Sequence, residues 1–221
     1  YAGQNIKDCW NDRNIKNYLS SYSIHAPVVF SSHHESHAAA AYYTSPFSTC
    51  AVLCIDSIGE WNTTTIWKAG PGGLKKLWSQ NYPNSIGLWY SAMTQRVGLK
   101  PNEEEYILMG MAAFGDKDRL ADRIENDFFN GTKTNTNLHR GCKWWAPELN
   151  TEQDMFDIAA ATQFIYQRKF KELLYKARDL THESNIALAG GCALNCVANS
   201  LAYCMFTDVW IFPNPGDAGS S

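Results

Sequence analysis

An α/β fold whose strands end at ligand-facing loops is predicted by two features of this 221-residue sequence. First, short apolar runs typical of buried strands alternate with longer segments in which apolar residues recur at helical spacing. Second, one of these runs, residues 186–189, passes directly through Gly190 and Gly191 into another helical segment. Because ligands bind beyond the carboxyl ends of strands in open α/β sheets, a site is expected in the loops that follow the strands.

The N-terminal half supplies most of the predicted strands. Residues 4–22 are polar and indicate one short helix, and the apolar run 26–30 predicts a buried strand. The alanine-rich residues 33–43 favour a helix that Ser31 or Ser32 can cap. Further strands and one tight turn are predicted from β-branched and Gly/Pro-rich runs: residues 50–56, 62–67 and 74–78, with the turn at 70–73.

The C-terminal half is richer in helix. Residues 85–97 are helical in pattern, whereas residues 116–150 mix charges, glycine and asparagine without a clear period and are predicted to be an insertion or a lid. Residues 152–178 give the strongest helix signal. The apolar stripe of that helix comprises Phe156, Ala160, Phe164, Phe170, Leu173, Leu174 and Ala177. After the strand at 186–189, a short helix over 193–203 and a strand over 209–212 are expected.

Composition excludes several classes of function. The net charge is −3 and basic residues are not clustered, so no nucleic-acid partner is expected. No run approaches the roughly 18 apolar residues of a membrane span, so no membrane partner is expected either. The cysteines number seven, an odd count, and several lie in apolar runs, which favours reduced thiols and a cytoplasmic location. The oligomeric state is not indicated.

Both ends of the sequence resemble cut ends. The first residue is Tyr1, and the last residues are the glycine-rich 216–221, a turn of the kind that normally leads into a helix. We therefore expect a piece of a longer protein.

A metal site is suggested by His33 and His37. The two lie four residues apart on the predicted helix, so both imidazoles project from one face, which suits two nitrogen ligands to one metal. His34 points elsewhere. The same spacing also suits a solvated pair or a pair satisfied within the core, but here a buried strand precedes it and small residues follow it.

Two aspartates are candidate oxygen ligands. Asp56 ends the predicted strand 50–56, where α/β sheets place their sites, although an aspartate is also common in a turn. Asp217 follows Gly216 in a glycine-rich turn that permits close approach of a phosphate or nucleotide, a signal that is weak by itself.

The turn at Gly190 and Gly191 is a candidate anion-binding site. The strand before it is buried, and the helix after it offers free N–H groups. It is neither a Walker loop nor a dinucleotide fingerprint. Asn195 and Asn199, four residues apart on that helix, can hydrogen-bond a ribose or a phosphate, or can simply be surface polar residues.

The acidic run that contains Glu103 and Glu105 precedes the small residues of segment 109–115. Acidic runs are usually solvated helix starts. The glycines behind this run indicate a packed turn near a ligand, so either glutamate is a candidate to orient an amine or hydroxyl substrate.

Five of these segments, in this order, resemble the O-carbamoyltransferases of nodulation-factor and antibiotic biosynthesis. The matching runs are HHESHAAAAYYTSPF, DSIGEWNTTT, NEEEYILMGMAAFG, ALAGGCALNCVAN and PNPGDAG. They span residues 31–219, nearly the whole chain, and five ordered motifs are far more specific than one.

The resemblance implies an incomplete core of the actin/sugar-kinase (ribonuclease-H-like) type, related to the tRNA threonylcarbamoyl-transfer proteins. It implies that carbamoyl phosphate and ATP give carbamoyladenylate, whose carbamoyl group passes to a hydroxyl of a small-molecule acceptor. It also implies a divalent metal, iron in most members. The positions that match the family's ligands and nucleotide contacts are His33, His37, Asp56 and Asp217 for the metal, and Gly190, Gly191, Asn195, Asn199 and Gly216 for the nucleotide.

Some parts of the family pattern do not match. By the resemblance, residues 1–221 are the N-terminal carbamoyltransferase domain, truncated at both ends. The histidine thought to act as general base would precede Tyr1, and the carbamoyladenylate-forming domain would follow Ser221, so no catalytic base is assigned here. A lysine common in the family is Ile107 in this chain.

Two alternative functions remain open. One is an ATP-dependent kinase of the same superfamily, which needs an aspartate base and has no use for His33 and His37. The other is a non-catalytic remnant that binds nucleotide or metal.

Overall fold

Five strands form one mixed sheet in the computed structural model of the chain, which describes residues 12–131 and 133–217. They are β1 (Cys50–Gly59), β2 (Asn62–Gly70), β3 (Gly73–Asn81), β6 (Asn185–Ala189) and β7 (Asp208–Ile211). The order across the sheet is β3-β2-β1-β6-β7. A separate small hairpin consists of β4 (Phe129–Asn130) and β5 (Lys133–Thr134). The predicted α/β class is confirmed.

Two helices precede β1 in the described residues, and the others lie between later strands along the chain. The helices are α1 (Asp12–Ser21), α2 (His33–Thr44), α3 (Ile86–Arg96), α4 (Glu105–Met111), α5 (Lys117–Phe128), α6 (Glu152–Thr181) and α7 (Cys196–Asn199). Single 3₁₀ turns cover Ala112–Phe114, Gly191–Leu194 and Ser200–Cys204. Among the described residues, none of these helices combines the length and the apolar character that a membrane span requires.

The sheet topology brings two loops to one edge. The meander β1–β2–β3 is antiparallel, but β6 runs parallel to β1, with Cys54 opposite Ala189. Since β6 ends at Ala189 and Asp56 lies two residues after Cys54 on β1, Asp56 and the turn at Gly190 lie at the same end of this parallel pair. This edge carries the candidate site.

Alternation along β1 gives the sheet two apolar faces. Leu53 and Ile55 belong to a large core that also includes the buried sides of α3, α5 and α6. Val52 and Cys54 face the other way, where α2 covers them with Ala38 and Ala41, both fully buried. Small residues on α2 let that helix lie close to the sheet, which places its first turn beside the strand ends.

The predicted buried strand over residues 26–30 is wrong. These residues belong to a separate N-terminal unit, residues 1–32, and are not part of the sheet. Val29 is 90% exposed and Phe30 54% exposed. A short apolar run becomes a strand only when a neighbouring strand takes its backbone hydrogen bonds. In the same unit, α1 lies within the helix predicted over 4–22, and residues 4–11 lie outside the described residues.

The prediction of an insertion or lid over residues 116–150 is also wrong. This segment contains α5, which Asp116 caps, and the buried face of α5 belongs to the main core. That face consists of Leu120, Ala121, Ile124 and Phe128. The loop after the hairpin adds Trp145 and Leu149 to the same core. The apolar stripe of α5 is narrow and lies among charged residues, so its helical period is easily missed.

Two helix predictions need smaller corrections. The stripe predicted for α6 includes Phe156 and Phe164, but both are only half-buried, whereas Ile158 and Ile165 are fully buried. The single helix predicted over 193–203 is three short helical turns, because Asn195 (φ −76°, ψ 83°) interrupts the helical backbone. The other predicted strands and helices are present within a few residues of their predicted ends, whereas α4 is not predicted as an element.

Candidate metal centre

The structure brings four predicted residues together. His33 and His37 extend from the first two turns of α2, Asp56 from β1 just beyond its pairing with β6, and Asp217 from the glycine-rich loop after β7. One ligand atom from each lies within 4.8 Å of every other. The two histidines lie one helical turn apart, so the helix itself aligns their rings.

The contacts in this cluster outnumber the protons that can mediate them. Nε2 of His33 lies 3.0 Å from Nε2 of His37, 3.0 Å from Oδ2 of Asp56 and 3.2 Å from Oδ1 of Asp217. Nε2 of His37 lies 3.2 Å and 3.0 Å from the same two oxygens. A ring nitrogen carries at most one proton and can donate only one of these bonds.

A cation fits this arrangement better. Ligand atoms that sit about 2.0–2.2 Å from a metal lie about 3.0–3.5 Å from one another. Two imidazole nitrogens and two carboxylate oxygens also form a donor set that suits iron or zinc. The residues present therefore fit a divalent metal.

Asp56 is held in position by its backbone surroundings. Its Oδ1 accepts a hydrogen bond from the Ser57 amide (2.8 Å), which leaves Oδ2 facing both histidines. The Ser85 hydroxyl, which caps α3, contacts the Asp56 carbonyl at 3.2 Å. Burial opposes ionisation of Asp56, but hydrogen bonds with His33 and His37 outweigh it and hold its pKa well below the ordinary value. The carboxylate is thus charged and preoriented.

Two glycines make room for the cluster. A Cβ on Gly59 would lie 2.3 Å from Cδ2 of His33, and a Cβ on Gly87 would lie 2.7 Å from the carbonyl oxygen of Asp56. A real Cβ cannot approach so closely, so any side chain at either position would displace a ligand.

The hydrogen bond with Asp56 raises the pKa of His33 above its ordinary value.

His34 is not part of the cluster, in agreement with its predicted direction. It is buried, and its Nδ1 lies 2.9 Å from Oγ1 of Thr65. Trp67 Nε1 donates to the same oxygen, which leaves the Thr65 hydroxyl proton free for His34. Burial lowers the pKa of His34 to about 4, so this ring is neutral at pH 7 and serves packing.

The second ring nitrogen of His37, Nδ1, has no hydrogen-bond partner among the described residues. Histidine ligands usually donate their second ring N–H to an acceptor. Nδ1 of His37 is buried without such a partner among the described residues. Its position therefore rests on the packing of α2.

A cavity of about 460 Å³ opens beside the cluster. Its wall contains seven of the predicted site residues: Asp56, Glu103, Glu105, Gly191, Asn195, Gly216 and Asp217. Tyr106 and Leu194 also line it and are 66% and 67% exposed, so they lie at its mouth. The cavity thus runs from a polar end at the strand edge to a mouth where these two side chains lie beside the exposed Glu103.

Two predicted nucleotide contacts do not line this cavity. A Cβ on Gly190 (φ +86°) would lie 2.3 Å from the Ile55 carbonyl oxygen, so this glycine serves the approach of two strand ends. Asn199 is buried, and its side chain donates to the carbonyl of Ala193. Gly191 does line the cavity, and its Cβ position lies 3.3 Å from Oδ1 of Asp56.

The two predicted glutamates differ in their contacts. Glu105 Oε1 accepts hydrogen bonds from the Ser91 hydroxyl and from the Asn102 amide, both at 2.6 Å, so its carboxylate is fixed in the cavity wall. Glu103 pairs with Lys100 at 2.5 Å and is more than half exposed. Glu105 is therefore the better-placed substrate contact.

A hydrogen-bonded set not anticipated from the sequence holds Asn195. Its side-chain amide forms two hydrogen bonds with that of Gln163, at 3.0 and 3.1 Å, and Gln163 also accepts from the Tyr90 hydroxyl at 2.7 Å. Gln163 lies on α6 and Tyr90 on α3, so the set ties two helices to the loop after β6. Nothing in the local sequence around Gln163 indicates this role, because the pairing depends on tertiary packing.

Cys192 also lines the cavity, beside the buried Tyr166. Burial raises the pKa of the Cys192 thiol to about 12, so it is protonated at neutral pH. A nucleophilic cysteine requires a thiolate, and this residue is not a candidate for one.

Comparison with known proteins gives matches over most of the chain. The family described as "Carbamoyltransferase N-terminus" matches residues 10–221. The uncharacterized protein sll1178 of Synechocystis sp. is 38% identical over 217 residues, which cover 88% of this chain and 35% of that protein. The nodulation protein NolO of Bradyrhizobium diazoefficiens is 28% identical over 198 residues, which cover 85% of this chain and 36% of that protein.

A further nodulation protein, NolNO of Sinorhizobium fredii, is 28% identical over 203 residues, 87% of this chain and 30% of that protein. The chain therefore spans about a third of the length of the curated relatives it matches.

Proposed function

The chain belongs to the carbamoyltransferase N-terminus family, and from this premise we propose that it carries the metal-dependent transfer site of an O-carbamoyltransferase. The observation that supports this best is the convergence of His33, His37, Asp56 and Asp217 at the end of a nucleotide-sized cavity. The carbamoyl group would come from carbamoyl phosphate through ATP-dependent formation of carbamoyladenylate. It would pass to the hydroxyl of a small-molecule acceptor.

The metal in this proposal is divalent, with iron first, and the four cluster residues would hold it. When bound, such an ion supplies Lewis acidity that stabilises negative charge on a carbonyl or phosphoryl oxygen. The Ser57 amide orients Asp56, and the first two turns of α2 align the histidines, so the four side chains are positioned by the fold itself. Preorganisation of this kind lowers the cost of reaching the transition state.

The remaining cavity suits carbamoyladenylate. Gly191 and Gly216 leave the polar end open for phosphate and carbamoyl oxygens, and both are half-buried there. Asn195, fixed by Gln163, and Glu105, fixed by Ser91, present hydrogen-bonding groups further along the wall.

Two alternative functions are less well supported. A kinase would need an aspartate free to act as base, yet the aspartates that line the cavity, Asp56 and Asp217, both contact His33 and His37. A non-catalytic remnant that binds metal would use the same four residues, so turnover is what distinguishes it from the enzyme. The free cysteines Cys50, Cys54 and Cys142 are buried, which supports a cytoplasmic location for the proposed enzyme.

The test is transfer from supplied carbamoyladenylate. The 221-residue chain, loaded with iron(II), is incubated with carbamoyladenylate and a panel of hydroxylated acceptors, and products are followed by mass spectrometry. We expect AMP together with an O-carbamoylated acceptor, formed slowly because no general base is assigned within residues 1–221, and loss of both in Asp56→Asn. A phosphorylated acceptor formed from ATP would establish the kinase instead. Nucleotide binding without any turnover would leave the non-catalytic alternative.

A further inference from the structure

A second concavity, of about 280 Å³, lies beside the cavity of the proposed transfer site and has no carboxylate in its wall. Three stretches of chain form it: the C-terminal part of α3, the turn before α4 and residues 138–141. Its polar members are Ser91, Gln95, Asn102, His139 and Arg140.

Arg140 gives this concavity a positive charge that the described part of the chain does not neutralise. Four other arginines are engaged: Arg96 with backbone carbonyls, and Arg119, Arg123 and Arg168 with carboxylates. Arg140 has no such contact within residues 12–131 and 133–217. Guanidinium groups bind phosphate and carboxylate through paired charge-assisted hydrogen bonds.

The loop that carries Arg140 is fixed. Cys142 is buried, and its thiol donates to the Ala92 carbonyl of α3 at 3.2 Å. Asn137 accepts a hydrogen bond from the His139 amide at 3.0 Å and also bonds with the Tyr82 hydroxyl. Gly141 (φ +76°) lies so close to Gln95 that a Cβ would be 1.9 Å from Oε1. These contacts hold the loop against α3, so the concavity has a defined shape.

An unsatisfied acceptor lies in the same wall. Oε1 of Gln95 is buried without a donor among the described residues. A buried carbonyl oxygen without a hydrogen bond costs stability unless a ligand or water supplies the donor. A ligand that fits this wall thus brings a negative group for Arg140 and an O–H or N–H for Gln95.

The wall between the two cavities is shared. Ser91 and Asn102 line both of them. The same two residues donate to Oε1 of Glu105, from the Ser91 hydroxyl and the Asn102 backbone amide. A ligand in the second concavity therefore lies directly behind the carboxylate that faces the first.

We propose that the second concavity is a binding site for an oxyanion group, phosphate or carboxylate, on a ligand that also carries a hydrogen-bond donor. Arg140 binds the oxyanion, and Gln95 accepts from the donor. Two ligands of the proposed reaction have this chemistry, an anionic hydroxyl acceptor and carbamoyl phosphate. Their identification rests on the proposed function, whereas the oxyanion site itself does not.

The test is a titration of the ¹⁵N-labelled 221-residue chain with inorganic phosphate, followed by amide chemical shifts. We expect shifts at the Gly141 amide and the Gln95 side-chain amide, and about tenfold weaker binding in Arg140→Gln, the scale of one lost charge-assisted contact. Arg178→Gln is the matched control, because Arg178 is exposed near the end of α6 and lines neither cavity. Equal affinity in Arg140→Gln and the original chain, or shifts confined to Gly191 and Asp217, would overturn the proposal.

Two further titrations identify the source of the oxyanion. Glycerol 3-phosphate carries a phosphate and hydroxyls, and carbamoyl phosphate carries a phosphate and an amide. Tighter binding of the former at Gly141 assigns the site to the acceptor, and tighter binding of the latter assigns it to the carbamoyl donor. If neither compound shifts Gly141, the site does not exist as proposed. None of these measurements depends on turnover, so a failed transfer assay leaves them interpretable.

Discussion

At the scale of single residues, the approach of two strand ends depends on Gly190. Its φ of +86° lies in the region that favours glycine, and a Cβ would lie 2.3 Å from the Ile55 carbonyl oxygen. Gly190 also donates its amide to the Pro215 carbonyl at 2.8 Å, which holds the loop that bears Asp217. One backbone position thus connects β1, β6 and the fourth member of the cluster.

Gly190→Ala should therefore destabilise the protein strongly. The left-handed backbone alone costs about 1–3 kcal/mol for a residue with a side chain, and the contact with Ile55 adds to it. We expect the free energy of unfolding to fall by about 2 kcal/mol or more in urea titrations. Gly216→Ala is the control, because its Cβ would meet its nearest neighbour at 3.8 Å, and a change within about 0.5 kcal/mol is expected. Equal stability of the two variants would show that this turn is not constrained as described.

At the scale of elements, α5 and α6 form the support on which α3 and the cavity wall rest. Arg119 of α5 bonds with Asp154 and Asp157 of α6, at 2.6 and 2.5 Å. Thr151 and Asp154 form a capping box at the start of α6. These contacts fix the helix that carries Gln163, and through it Asn195.

Truncating a buried side chain of α5 tests whether this helix belongs to the core or to a lid. Ile124 is fully buried in the main core, so Ile124→Ala should cost about 2–5 kcal/mol of unfolding free energy. Asp122→Ala, at an exposed position of the same helix, should change it by no more than about 0.5 kcal/mol. Thermal and urea unfolding measure both. A stability unchanged by Ile124→Ala would restore the interpretation of this segment as a lid.

The contacts between Asp157 of α6 and the start of α5 predict that the stability of the protein falls in acid. Burial opposes its ionisation, but the Asp116 amide, Arg119 and Gln153 outweigh burial and lower the pKa of Asp157 below 3.8. A carboxylate with a depressed folded-state pKa contributes stability above its unfolded value, and that contribution is lost as the pH falls through the folded-state pKa. The unfolding free energy should therefore drop below about pH 4, and the drop should be smaller in Asp157→Asn. The exposed variant Asp122→Asn is the control and should keep the original dependence of unfolding free energy on pH. The same dependence in Asp157→Asn would contradict this account.

Sequence patterns gave the elements that carry the site, but not all of the residues that shape it. The spacing of His33 and His37 and the strand-end position of Asp56 are local features, and the structure brings both to one point. Burial of residues 26–30 failed as a prediction because it depends on a neighbouring strand that the run itself does not specify. Gln163 was missed for the same reason, since its partner Asn195 is distant in sequence, and Arg140 was missed because the other walls of its concavity are distant in sequence too.

At the scale of the whole molecule, the sheet edge gathers chemistry from four separate stretches of chain. The parallel pairing of β1 and β6 places Asp56 next to Gly191, and α2 and the loop after β7 complete the cluster. The cavity then extends between α3, α4 and α6. Such convergence at the carboxyl ends of parallel strands is the usual place for a ligand in an α/β protein.

Metal content is the measurement that tests the central claim most directly. We expect the chain purified without chelator and analysed by elemental mass spectrometry to contain about one equivalent of divalent metal, as for a single site with this ligand set. His37→Ala should lose most of it, because Nε2 of His37 contacts the other three ligand atoms. His139→Ala, an exposed histidine outside the cluster, should keep it. Unchanged metal content in His37→Ala would contradict the assignment of the metal to this cluster.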